Sequence, residues 1–588
     1  MNKKGVEYYE KIFNLEYTFG KLDTIFCPDF TVGAMEYPGA VTYTERLLPR
    51  EKNTTYMVSL RGSVILHELA HMWFGNTVTM QWWNGLWLNE SFADFVCYMA
   101  WDAITPLFDF PVYSAWLEFM KRKGWGYKED QEKTTHKICG DVPDTNSADS
   151  IFDGITYSKG AASLRHLVAL VGEDVFGKAM SEYFNNYKWS NTTLEDLLDI
   201  YQKHLSSKKD ENKAYDISFW QETWLNTPGM NTVTAEWSNG TLVLHQGHAL
   251  EQFATLRCHR IDVAFFNAEG DVVQVKEVIL NPADTTEIKY DEDSSIVACL
   301  PNYRDFSFIK IILDTKSLEF FSQHLGLVKE PLTKGLILRS MYDGVRDARV
   351  KATAYIDVIC NFIPTEDDNQ VIDVAYTYVA AATSILTRAN NSEYLSKLYA
   401  VTRAKLVGAE DSQFIISLTQ KLVTYGFAEA DLKDLKEWLE GSGDLKAFEL
   451  TNELKWKITC KICGSSCFSE EEKEAAFTKR FEEDQSDVRK KYKLKVDALR
   501  ADDAQRETLF EGYFADGEAG MNYEDLSYSI EGFTSRYIAE ERQKPFFDKY
   551  FTKIVTAMTN KSKTIGRVRL IFLTLDPFQR TSPRHRLY

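Results

Sequence analysis

A chain of 588 residues exceeds what one hydrophobic core supports, since single cores stop growing near ~250–300 residues, so about two to four domains are expected. With 44% hydrophobic and 26% charged residues the composition is that of a globular protein, which excludes disordered and fibrous classes. Against 68 basic residues stand 86 acidic ones, and the resulting formal charge of −18 repels nucleic acid and anionic membranes, so no nucleic-acid partner is expected. The opening MNKKGVEYYEKIFNLEYTFG holds no signal-peptide core, and no run reaches the ~18 apolar residues of a membrane segment. Nine scattered cysteines do not read as a disulfide framework, and a reduced, cytoplasmic setting follows as the expectation.

From Tyr8 to about Pro228 short strand-like and long helix-like segments alternate. A helix is expected from about Asn53 to Phe74, capped by Asn53 or Thr54 and ended by Gly75-Asn76. A second runs from about Trp87 to Ile104 and must stop near Pro106. A third, TYSKGAASLRHLVALVG, carries Leu164, Leu167, Val168 and Val171 at helical spacing. From about Asn231 the texture changes: TAEWS and TLVLHQ flank Ser238-Asn239-Gly240, a two-residue hairpin signal. The runs VAFFNAEGDVVQV, SSIVACL and FIKIIL follow, which reads as a small antiparallel sandwich. Beyond about Thr315 helical periodicity dominates, with the solvated charged faces of amphipathic helices, and such a run suits an irregular solenoid of helix pairs.

The segment that carries chemistry is VILHELAHMWFGNTVTMQWWNGLWLNESFADF, Val64 to Phe95. His67 and His71 stand four apart on a helix, so their imidazoles leave the same face one turn apart, the spacing one tetrahedral Zn2+ needs from two histidines. Glu68 points about 100° round the helix, beside such a metal, where it can take a proton from water. After eighteen intervening residues comes Glu90, near the start of the next helix, which a helix–turn–helix return brings back as a third ligand. Three protein ligands leave a fourth position open, the catalytic arrangement rather than the structural one. A bare HExxH arises by chance in long chains. Its place in an amphipathic helix, followed by Asn89-Glu90 and flanked by tryptophans, sets this one apart.

This stretch resembles the zinc signature of the gluzincin aminopeptidases of the aminopeptidase N type. VGAMEYPGAVTY, Val32 to Tyr43, resembles that family's GAMEN motif, and IFDGITYSKGAASL, Ile151 to Leu164, the segment holding its catalytic tyrosine. WQETWLNTPGMNTV, Trp220 to Val233, is similar to the family's junction into its small β-domain. The resemblance covers most of the chain and is strong over residues 8–235. It implies an α+β multidomain protein: a thermolysin-like, mostly helical catalytic domain at 1–230, a small β-sandwich at 231–315 and an all-helical domain at 316–588. It also implies a zinc aminopeptidase with one Zn2+ per chain on His67, His71 and Glu90, and Glu68 as general base. Tyr157 would donate to the developing oxyanion. Glu36 would pair with the α-ammonium of a peptide with a free N-terminus, and the Gly33, Ala34 and Met35 backbone would lie along that peptide.

Two departures stand out. GAMEN reads GAMEY, with Tyr37 for asparagine and Pro38 behind it, and the family's β-rich domain of roughly two hundred residues before the catalytic one is not in this sequence. Its loss would leave an exposed apolar docking rim, with YYEKIFNLEY, Trp82, Trp83 and Trp87 as candidates, and would weaken activity and selectivity. The closing DPFQRTSPRHRLY does not resemble the family's end. Other expectations from the same residues are a weakly active or inactive peptide-binding remnant and an epoxide-hydrolase member of the family. Cys460, Cys463 and Cys467 hint at a metal knuckle but lack a fourth ligand, and His245 and His248 read as ordinary strand and turn residues.

Overall fold

The computed structural model describes residues 1–28, 30, 32–49, 53–110, 112–205, 215–386, 388–514 and 521–559. The expectation for DPFQRTSPRHRLY lies outside them. The described residues form two compact units, one within Met1–Cys27 and Val32–Ala382, the other within Pro28–Thr31 and Thr383–Tyr588.

The first unit opens with helix α1 (Asn2–Phe13) and strands β1 (Asp23–Cys27), β2 (Ala34–Met35) and β3 (Ala40–Thr44). These strands make a small sheet in the order β1-β3-β2, with β1 parallel and β2 antiparallel to β3, so β2 lies at an edge. Helix α2 (Thr55–Ala70) starts where expected: the Thr54 hydroxyl accepts the Met57 N–H at 3.0 Å, a cap worth ~1 kcal/mol. Strand β4 (Val78–Met80) leads to α3 (Leu86–Ile104), which stops before Pro106. Most residues of α3 are buried, the polar Glu90, Ser91 and Asp94 among them, and that places it at the centre of the unit. Helices α1 and α2 pack on it through Tyr9, Phe13, Trp73 and Phe92, whose rings meet at 5.5–5.9 Å between neighbours.

Next come α4 (Ala115–Glu129), α5 (Thr145–Asp149), a π-helical turn (Ile155–Lys159), α6 (Gly160–Val171), α7 (Glu173–Tyr187), β5 (Ser190–Thr192), α8 (Leu194–Leu205) and α9 (Ile217–Trp220). The helix expected from Thr156 onward therefore begins as a wide turn and becomes regular only at Gly160. Gly160 is required there because a Cβ would stand 1.9 Å from the Ser91 hydroxyl, on the α3 face that the turn abuts.

Strands β6 (Asn231–Ser238), β7 (Thr241–His248), β8 (His259–Asn267), β9 (Val272–Leu280), β10 (Thr285–Lys289), β11 (Ile296–Tyr303) and β12 (Ile309–Ile312) form two sheets, β10-β7-β6-β12 and β11-β8-β9. The sheets enclose Val233, Leu242, Leu244, Ile261, Phe265 and Ile309. The β6–β7 hairpin turns on Asn239 and Gly240, both at positive φ, as the sequence signals. One pairing differs from the antiparallel expectation: β12 runs parallel to β6. Alternation of apolar residues fixes which face of a strand is buried but not its direction, and β12 arrives from the other sheet rather than through a hairpin. Helices α10 (Thr315–His324), α11 (Pro331–Arg346), α12 (Ala352–Phe362) and α13 (Asn369–Ile385) follow.

The second unit is helical from α14 (Arg388–Val407) to a last helix at Pro545–Thr559. Among the described residues no helix is long and apolar enough to cross a membrane. All nine cysteines are free thiols, and among the described residues Cys460, Cys463 and Cys467 belong to none of the clusters that bring three metal-ligating atoms together.

Candidate active site and metal centre

The last turn of α2 and the first turns of α3 meet at His67, His71 and Glu90. The two Nε2 atoms are 3.1 Å apart, and Glu90 Oε2 is 3.4 Å from that of His67 and 3.5 Å from that of His71. A tetrahedral ion with bonds of ~2.0–2.1 Å to nitrogen and oxygen has ligand–ligand edges of about 3.3–3.4 Å, so the triangle fits zinc in size as well as donor type. Tautomers agree. His71 Nδ1 faces two acceptors, the Phe74 carbonyl at 3.2 Å and Asn89 Oδ1 at 3.0 Å, so in the neutral ring it carries the proton and Nε2 offers the lone pair. Behind His67, its Nδ1 lies 3.7 Å from Asp94 Oδ1.

Charge in this pocket is strongly coupled. Burial disfavours an imidazolium at His71, yet the carboxylates of Glu36, Glu90 and Glu68 outweigh it and hold the ring up to about 10. Glu90 is driven the other way, far below the usual carboxylate range: its burial is overcome by hydrogen bonds and charge from His67 and His71. Burial pushes Glu68 up to about 7, against the pull of the two histidines and with a smaller push from Glu36 and Glu90. The Tyr157 phenol is raised far above its ordinary value, by burial first and then by Glu90.

Of the residues singled out from the sequence, Glu68, Tyr157 and Glu36 gather round the His67, His71 and Glu90 triangle, and the strand backbone borders it. Glu68 is buried, with a carboxylate oxygen within 4.8 Å of ligand atoms of Glu36 and His71. Tyr157, on the π turn, stacks at 6.3 Å from the His67 ring. Glu36 follows β2, with Oε1 3.8 Å from His71 Nδ1, and Ala34 and Met35 form the edge strand while Gly33 stays exposed. How GAMEY is held without the motif asparagine is also visible: Asn76 donates to the Glu36 carbonyl at 2.7 Å, and Tyr37 is exposed.

Two residues that sequence reasoning passed over complete the site. Asn89 accepts from His71 and donates to Glu36 Oε1 at 3.4 Å and Glu90 Oε1 at 3.3 Å, and Asp94 backs His67. Their signal was position: Asn89 directly precedes Glu90, and Asp94 lies one turn beyond it. Gly75 admits Asn89, for at φ +120° its missing Cβ would fall 2.3 Å from Asn89 Oδ1. His245 and His248 sit on β7 near Glu236 and Glu251, away from this cluster.

Comparison with known proteins bears on the family. Residues 1–224 match the Peptidase family M1 domain and residues 299–576 the ERAP1-like C-terminal domain. Aminopeptidase N of Streptomyces lividans is 30% identical over 571 residues, 91% of this chain and 64% of that protein. Probable aminopeptidase 1 of Sulfurisphaera tokodaii is 31% identical over 334 residues, 56% of this chain and 40% of the relative. Aminopeptidase M1 of Arabidopsis thaliana is 36% identical over 249 residues, 42% and 27%. The chain thus spans less than two thirds of the length of each. With residues 1–224 matching the peptidase domain and a 30% identical relative aligned over 91% of this chain, the chain belongs to peptidase family M1.

Proposed function

We propose that this protein is a zinc aminopeptidase that removes N-terminal residues from peptides, with domains at 1–230, 231–315 and 316–588. The observation that carries the reading is the triangle of donor atoms on His67, His71 and Glu90 with a further carboxylate, Glu36, at its side. Zinc held there supplies a Lewis acid that polarises a carbonyl and makes water nucleophilic at neutral pH. The chain's own residues do the rest. Glu68, buried beside the ligands, takes the proton from the attacking water and hands it to the leaving amine. Tyr157, held protonated, donates from its hydroxyl to the peptide oxygen as charge gathers on it. Glu36 binds the α-ammonium, and Asn89 keeps that carboxylate in line with the ligands. The open edge of β2 offers Ala34 and Met35 for pairing with an extended peptide.

The test is hydrolysis of an aminoacyl amide against its N-acetylated twin by the zinc-loaded protein. Cleavage of the first and not the second is expected. Equal cleavage of both would refute the aminopeptidase reading.

A further inference from the structure

Helix α4 presents Arg122, Trp125 and Glu129 on one face, at the i, i+3, i+7 spacing that lines residues up along a helix. All three engage the catalytic turn or what stands behind it. Glu129 accepts the Gly154 N–H at 2.5 Å and the Trp125 indole N–H at 2.5 Å, which fixes the approach to the π turn. The Trp125 ring stacks on Tyr157 with centroids 5.6 Å apart and planes 28° from parallel. Arg122 reaches furthest. Its Nε–H donates to Asp94 Oδ2 at 2.9 Å, while the other oxygen of the same carboxylate faces His67 Nδ1. Its guanidinium carbon lies 4.7 Å from the centre of the Trp125 ring and 5.6 Å from that of Tyr157.

We propose that Arg122 is a positioning residue of the reaction, tying Asp94 behind His67 and the Tyr157 ring into one unit. This rests on the zinc peptidase reading above. A guanidinium can serve both neighbours because it is planar: its edge donates in the plane to a carboxylate while its face lies over aromatic rings. An ammonium offers the charge without the plane. Arg122 is the cation in contact with Asp94 among the described residues, in a pocket that also holds Glu36, Glu68 and Glu90. The group behind a ligating histidine sets its ring orientation and basicity. Without Arg122, Asp94 loses its fixed rotamer and Tyr157 one of the groups that pack on its ring, so ligand and phenol no longer hold their mutual placement.

The experiment compares Arg122→Gln and Arg122→Lys with the parent in three measurements. These are zinc affinity by chelator competition, kcat and KM on an aminoacyl amide, and the Tm of the zinc-free protein. Arg122→Gln is expected to weaken zinc about tenfold and to lower kcat at least ~10-fold with KM within about twofold. The zinc-free Tm should stay close to the parent's. Arg122→Lys should recover most of the zinc affinity and leave kcat low. Parent-like zinc affinity and kcat in Arg122→Gln would overturn the proposal. Should that variant unfold, Arg122→Lys decides: parent-like kcat there overturns it, and a low kcat at parent-like Tm supports it. A parent that neither binds zinc nor turns over substrate would sink the proposed function and this inference with it, whereas an active parent with indifferent variants sinks the inference alone.

Discussion

His71 Nδ1 lies 3.0 Å from Asn89 Oδ1, so the residue just before the third candidate ligand fixes the tautomer of the second. Because the Asn89 amide also donates to Glu36, one side chain couples the metal site to the group proposed to hold the substrate's ammonium. Asn89→Ala is expected to cost 10–100-fold in zinc affinity, roughly what loss of such a partner costs elsewhere, and to raise KM for a free N-terminus. Chelator competition and steady-state kinetics read both. Unchanged values would make Asn89 a packing residue.

Tyr157 acts, in this account, once charge has developed. Tyr157→Phe keeps the ring stacked on Trp125 and removes the donor alone. A fall of ~10²–10³ in kcat with KM nearly unchanged is expected from loss of one oxyanion donor. A change in KM with kcat intact would assign the phenol to binding.

The fold carries its own acid sensor, away from the metal. His166 is fully buried and accepts the Arg260 N–H on Nε2 at 2.9 Å, a role open only to the neutral ring. Burial, with Arg260 and Lys123 nearby, holds its pKa down at about 3. Above pH ~6.5 both folded and unfolded rings are neutral. Below it the unfolded ring takes a proton that the folded one refuses, so stability is lost as the pH falls from about 6.5 towards 3. At pH 5 the loss is about 2 kcal/mol. Denaturant midpoints at pH 8 and pH 5 should show it, with a smaller drop in His166→Gln, whose amide oxygen can accept the same N–H. An identical drop in the variant would contradict the assignment.

Lys123 and Asp305 form a buried pair at 2.6 Å, each about 1% exposed, and Lys123 also donates to the Ser307 carbonyl. Burial lowers the lysine's pKa to about 8, more than its partner raises it. Lys123→Met strands a buried carboxylate and should cost ~3–5 kcal/mol by urea denaturation, and adding Asp305→Asn should recover part of it. A cost below ~1 kcal/mol would show that water reaches the pair.

What the sequence made legible follows from the physics of short range. His67, Glu68 and His71 share one helix, so their relative directions are set by 3.6 residues per turn, and Glu90 could be added by counting. Asn89 and Asp94 were in view, but their roles depend on how α3 rotates against α2, which no local pattern encodes. The π turn at Tyr157 was hidden for a similar reason: its apolar neighbours fit an ordinary helix, and the wider turn is imposed by the approach of α4 and Ser91. The parallel β12 was beyond reach because a strand's pattern reads the same in both directions.

The central claim, that His67, His71 and Glu90 hold one catalytic zinc, is tested most directly by metal analysis of the purified parent beside His71→Ala. One zinc per chain in the parent and almost none in the variant, with turnover lost in step, is the predicted result. Stoichiometric zinc retained by a folded His71→Ala, or an active parent that holds none, would contradict it.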